Sequence, residues 1–407
     1  VKTVYWDKHI PRVVASYLLR RIWPGVTWSP LSPVSVKDMP DPALPGPRWL
    51  RVRNRQCGIC ASDLSILYTR PSVEIALAAI PATDRIYLGH ELVGEVVELG
   101  HEVTRYQVGD RVAMEARYTG SPNCHTQEID PPCRQCAAGQ TRLCENKALG
   151  KGPNGVGAGW GDTCIAHESE VWPIPTDLND DQASLVEPSA VALHAVLRRP
   201  PQAGEQVLII GAGIIGLLVL QAARVVAPEA QITIMARYPH QADMARALGV
   251  DRVIAEDGSA YARVAEITGA RHYRFPLNRG MLLGGFEVIY DCVGKANTIV
   301  DGLRWARAGG TYVMVGIAFE SLKVDLSPVW YQEVDLIGSH TFGMENWRGR
   351  RVHTFDLVIE MMQEGALRHE GLITHRFPLA ELRRAVAVAG DRRQGAIKVM
   401  LDCRADG

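Results

Sequence analysis

The chain runs to 407 residues, enough for two sizeable domains, with 47% apolar and 22% charged residues. Its 44 lysines and arginines against 45 aspartates and glutamates leave a formal charge of −1. That balance speaks against nucleic acid or an anionic membrane as a partner, since both select clustered positive charge. Of nine cysteines, Cys124, Cys133, Cys136 and Cys144 cluster, and behind a first twenty residues without a signal-peptide pattern such clustered thiols point to metal rather than disulfides, in a reducing cytoplasm.

Seven prolines between residues 24 and 47 exclude helix there and favour turns and edge strands. Short β-rich stretches such as 49–52 and 92–99 follow, and then a glycine- and cysteine-rich stretch over 120–161 that needs an internal tie. From an apolar helix at 183–196 the pattern changes. Buried strands at 207–210, 232–235, 253–254, 288–290 and 311–315 alternate with helices at 241–248, 261–268 and 296–305. Such alternation implies a parallel sheet covered on both faces. Helices at 354–364 and 379–388 and a strand at 396–402 close the chain. The fold class is α/β: a β-rich domain over 1–188 with a cysteine lobe at about 120–150, a doubly wound parallel-sheet domain over 189–334, and a return over 335–407.

The longest apolar run, 207–227, is broken by Gly211, Gly213 and Gly216, so strand, tight turn and helix explain it better than a membrane span. These glycines, with Ile214 and Ile215 between them, spell G-x-G-x-x-G, a turn whose backbone can approach a pyrophosphate at a helix N-terminus. About twenty residues on, where NAD-binding sites place an acid, the chain has Ala236 and then Arg237. An uncharged residue does not repel a 2′-phosphate and an arginine pairs with one, so NADP is expected, with NAD the alternative.

Two further runs carry metal chemistry: Cys57-Gly-Ile-Cys60-Ala-Ser62-Asp63 and Gly89-His90-Glu91-Leu-Val-Gly94. With Gly109-Asp-Arg-Val112, Asp291-Cys-Val-Gly294 and Ile373-Thr-His-Arg376, nearly the whole chain resembles the zinc-containing medium-chain dehydrogenase/reductases, the alcohol and polyol dehydrogenase family. The resemblance implies a groES-like catalytic domain joined to a Rossmann cofactor domain, usually in homo-dimers or homo-tetramers. It implies a catalytic zinc on Cys60, His90 and Glu187, with Glu91 either a ligand or beside one, and Asp63 fixing the ring of His90. Glutamate at 187 resembles the polyol, threonine and sugar dehydrogenase branches. Cys57 reads as packing.

By the same resemblance, Cys133, Cys136 and Cys144 belong to a structural zinc lobe whose fourth cysteine is replaced by Asp130; Cys124 and His125 are the other candidates. Ser62 corresponds to the hydroxyl that relays the substrate's proton, while Ser65 stands where many relatives continue the relay with histidine. Lys398 occupies the place of a basic residue near the cofactor pyrophosphate, or is a surface lysine. A stretch around 68–85, with Trp160, Trp330 and Trp347, would border the substrate cleft, although tryptophan is more often core. The expected activity is hydride transfer between a nicotinamide cofactor and a secondary alcohol or polyol. The alternatives are a biosynthetic dehydrogenase of a sugar-like or amino-alcohol intermediate and a dinucleotide-binding protein without catalysis.

Overall fold

A computed structural model describes residues 2–72, 85–115, 122–147, 156–274 and 280–404. The chain divides into two compact units, Val1–Glu187 with Ile373–Gly407, and Pro188–Leu372.

In the first unit, strand β1 (Trp49–Gly58) is the hub of a seven-stranded sheet. It pairs antiparallel with β2 (Glu91–Leu99), with Thr163–His167 and with Lys398–Asp402. Every neighbour therefore comes from a distant part of the sequence, and the carboxyl-terminal residues complete the sheet. Leu50, Val52, Leu92, Val96 and Leu401 fill its core at no more than 1% exposure. A smaller antiparallel sheet joins Val34–Asp38, Lys2–Asp7 and Arg85–Tyr87. The prolines do not abolish all helical turns here: Pro24 opens a 3-10 turn through Trp28, at the first helical position where its missing N–H costs nothing. A ten-residue helix, α1 (Ile10–Leu19), and a seven-residue one, α2 (Ala61–Leu67), are further elements beyond those expected.

The second unit carries six parallel strands in spatial order Arg252–Ala255, Gln231–Ala236, Gln206–Ile210, Phe286–Asp291, Ala306–Met314 and Asp335–Gly338. Strands such as Gln206–Ile210 are apolar after their first residue because helices cover both faces. The order reverses between Gln206–Ile210 and Phe286–Asp291, the switch point where open sheets of this kind bind ligands. The unit runs to Leu372 rather than to residue 334. Asp335–Gly338 is the sheet's sixth strand and the helix Thr354–Gln363 follows it within the unit, so the chain returns only at Ile373. Two antiparallel hairpins, Arg271–Tyr273 with Met281–Leu283 and Met344–Trp347 with Arg350–His353, are additions to the alternating pattern. Among the described residues no helix is long and apolar enough to cross a membrane.

Candidate active site

β1 ends at Gly58 and the chain turns into α2, which puts Cys60 at the helix N-cap. Asp63, fully buried at the third helical position, then serves as a node. Its Oδ2 accepts from Cys60 N at 3.3 Å, and its Oδ1 accepts from Gly89 N at 3.1 Å and sits 3.2 Å from His90 Nδ1. In the neutral ring, Nδ1–H donating to Asp63 turns the lone pair of Nε2 toward a metal. Ligand atoms of Cys60, His90 and Glu91 lie within 4.8 Å of one another. Burial works against a charged His90, but Asp63 and Cys60 outweigh it and hold the imidazole well above its ordinary pKa. These surroundings favour positive charge.

Glu91 and Lys398 are each 1% exposed and form an ion pair; the ammonium also donates to Ile59 O at 3.4 Å. This corrects the alternative of Lys398 as a surface lysine: its ammonium is paired inside the protein and neutralises Glu91. Glu187 stands outside the 4.8 Å group, in the first turn of Val186–Arg198 and 8% exposed. Burial pushes its carboxyl up to about 7, with the pull of His90 opposing and the repulsion of Glu91 adding to the rise. Ser62 is half-buried in the first turn of α2, whereas Ser65 Oγ donates to Ala61 O at 2.9 Å within its own helix. Cys57 is wholly buried, as a packing residue would be, and Trp160 is core; Trp330 is 83% exposed. The expected cleft stretch falls outside the described residues over 73–84, as do the ends of the cysteine lobe.

In that lobe the four thiols of Cys124, Cys133, Cys136 and Cys144 come together within 4.8 Å. Asp130 is exposed and does not join them, so the fourth donor is Cys124. Cys124 and Cys144 sulfurs are 3.7 Å apart, close to the ~3.8 Å edge of a tetrahedron with zinc–sulfur bonds of ~2.3 Å. Backbone N–H groups serve these sulfurs: Cys133 N donates to Cys124 Sγ and Asn146 N to Cys144 Sγ, both at 3.3 Å. Those of Cys136 and Glu145 lower the Cys133 thiol. Four soft sulfur donors fit zinc in a closed site, and the thiol, imidazole and carboxylate group fits zinc in an open one.

In the second unit, Gly211 takes φ +95°, and a side chain at Gly216 would come within 1.8 Å of Gly211 O. Glycine is thus required at both places, by the turn and by the close approach of helix to strand. Gly213 caps Ile214–Val226 without a side-chain acceptor, so the first N–H groups, over Ile214 and Ile215, are open to an anion. Ala236 ends Gln231–Ala236 and is buried; Arg237 follows and is exposed. A cavity of about 1010 Å³ runs from Gly211 past Met235, Asp257, Tyr261 and Thr298. Asp291 shapes the loop beside it by accepting from Val293 N at 2.8 Å, Gly294 N at 3.1 Å and Thr298 Oγ1 at 2.9 Å. This anchoring role was not expected, although the Asp-Cys-Val-Gly run marked the place.

Residues 46–176 match the family model of the alcohol dehydrogenase GroES-like domain, and 215–362 that of zinc-binding dehydrogenases. L-threonine 3-dehydrogenase of Rhizobium etli is 31% identical over 90% of this chain and 94% of its own. L-idonate 5-dehydrogenase of Vitis vinifera is 29% identical over 88% of each. Among solved structures, a zinc-binding dehydrogenase from Sinorhizobium meliloti bound to NADP superposes with a TM-score of 0.69 at 27% identity, covering 91% of this chain and 96% of that one.

Proposed function

This chain belongs to the zinc-type alcohol and polyol dehydrogenases of the medium-chain dehydrogenase/reductase family, and on that premise we propose an NADP-linked oxidation of a secondary alcohol or polyol, reversible to its carbonyl. The observation that carries the reading is the donor group of Cys60, His90 and Glu91 closing within 4.8 Å around the anchor Asp63.

Cys60, His90 and Glu187 are the residues to hold the catalytic zinc. Glu91 sits close enough to replace Glu187, but its charge is already answered by Lys398. When bound, zinc supplies Lewis acidity toward a substrate oxygen, and the nicotinamide accepts or returns the hydride. The protein's own residues do the rest. Asp63 keeps His90 in one tautomer and holds the N-cap of α2 against the loop before His90. Ser62 Oγ takes the proton of the substrate hydroxyl and hands it on. Because Ser65 is committed to Ala61 O, the next carrier is water or a cofactor hydroxyl.

Ala236 and exposed Arg237 support NADP over NAD, as does the NADP-bound relative. The glutamate at 187 and the polyol and threonine dehydrogenase relatives support a substrate with a neighbouring hydroxyl or amino group. A homo-oligomer is part of the reading, supported by Ile317, Trp330 and Leu336, 58%, 83% and 40% exposed in one unit. The test is cofactor reduction over alcohols, polyols and 2-amino alcohols with NADP and NAD, before and after chelation. Turnover that prefers NAD, or survives complete zinc removal, contradicts the reading.

A further inference from the structure

The chemistry at Arg237 depends on more than its charge. An exposed arginine samples many rotamers, and freezing them on a phosphate offsets part of the contact. Here the residues that follow supply a support. The guanidinium Cζ of Arg237 lies 5.7 Å from the centroid of the Tyr238 ring, inside the ~6 Å reach of a cation–π contact. The Tyr238 ring in turn stacks on His240, with centroids 5.7 Å apart and planes within 18° of parallel.

The backbone fixes that stack. Tyr238 is the extended N-cap residue of the helix Pro239–Ala247, at φ −117° and ψ 143°, and Pro239 holds the first helical position. Tyr238 and His240 are both half-buried. Nε2 of His240 is shut off from solvent and, among the described residues, has no hydrogen-bond partner, which leaves the imidazole a supporting face rather than a donor.

The guanidinium itself is uncommitted. Residues 237–242 contain no acid, and Asp243 pairs with Arg246 at 2.8 Å. Among the described residues Arg237 has neither an ion pair nor a hydrogen bond. An aromatic ring holds a guanidinium by its π face and takes none of the N–H donors that an anion needs.

We propose, on the NADP reading above, that Tyr238 and His240 are positioning residues for the cofactor's 2′-phosphate: the stacked rings hold the Arg237 guanidinium ready with its donors unspent. The preference for NADP then comes from three side chains in series and not from Arg237 alone.

The test is titration calorimetry of the full chain with adenosine 2′,5′-bisphosphate and with adenosine 5′-monophosphate, which differ by the 2′-phosphate alone. The wild type binds the bisphosphate about tenfold more tightly, and Arg237→Ala removes the difference. Tyr238→Leu weakens the bisphosphate about two- to fivefold, the worth of one exposed cation–π contact, and leaves the monophosphate unchanged. Tyr238→Phe keeps the wild-type ratio, and His240→Ala lowers it in the same direction as Tyr238→Leu. If Tyr238→Leu does not fold, His240→Ala decides by the same ratio. Equal weakening of both nucleotides by the ring variants overturns the proposal, because the rings would then only pack the helix start. So does a Tyr238→Phe that behaves like Tyr238→Leu, which would put the effect in the hydroxyl. A wild type without preference for the bisphosphate ends the NADP reading and the positioning role together. A preference that the ring variants keep in full ends the positioning role alone.

Discussion

The two cysteine-containing sites of the first unit solve opposite problems. In the lobe, four sulfurs face one another and backbone N–H groups satisfy them, with no acid or lysine among the grouped donors. Around Cys60 the donors are mixed: one thiol, one imidazole held by Asp63, a carboxylate paired with Lys398 and a second carboxylate, Glu187, kept in reserve by burial. A saturated set of like donors suits an ion that only ties a loop. A mixed set with spare acids suits an ion that must admit another oxygen. The comparison teaches that donor chemistry and its supports, rather than cysteine count, separate structural from catalytic metal sites.

Substitutions can break this contrast. Cys60→Ala should cost about a thousandfold or more in kcat/KM, by loss of the Lewis acid, while zinc content falls by one per chain and thermal stability changes little. Cys124→Ser should also remove one zinc, but its main effect is on stability, on the order of several kcal/mol, read as a lower denaturant midpoint. Asp130→Ala should leave both zinc content and stability unchanged; a loss equal to that of Cys124→Ser would return Asp130 to the site. Asp63→Asn should lower zinc affinity or kcat/KM about 10- to 100-fold, since the ring of His90 loses the carboxylate that orients it. A smaller loss than that of Asp63→Asn is expected in the other unit. Arg237→Ala should raise KM for NADP about tenfold with little change for NAD, the value of one charge-assisted contact.

The parallel sheet was legible because its strands are unbroken apolar runs separated by helix-length segments, and 296–305 is the helix Ala296–Trp305. The glycine turn was legible because its spacing is local, and Cys60, His90 and Glu91 were singled out by the resemblance that their two short runs carry. What escaped was set by distance or by outward-facing pattern. Lys398 and Glu91 are 307 residues apart, and no periodicity announces a buried pair of that kind. Cys124 lies nine residues before Cys133, so a spacing argument chose Asp130, whose side chain turns to solvent instead. α1 was missed because its regular apolar stripe faces outward and Pro11 opens it; few of its residues face the core.

The most direct test of the central claim, that one closed and one open zinc site coexist in this chain, is zinc-edge X-ray absorption with metal content measured on the same sample. Two zincs per chain with a mean of about 2.5 sulfur ligands are expected, the average of four sulfurs at one ion and one sulfur at the other. One zinc per chain with about four sulfurs would contradict it, because the ion at Cys60 and His90 would be missing.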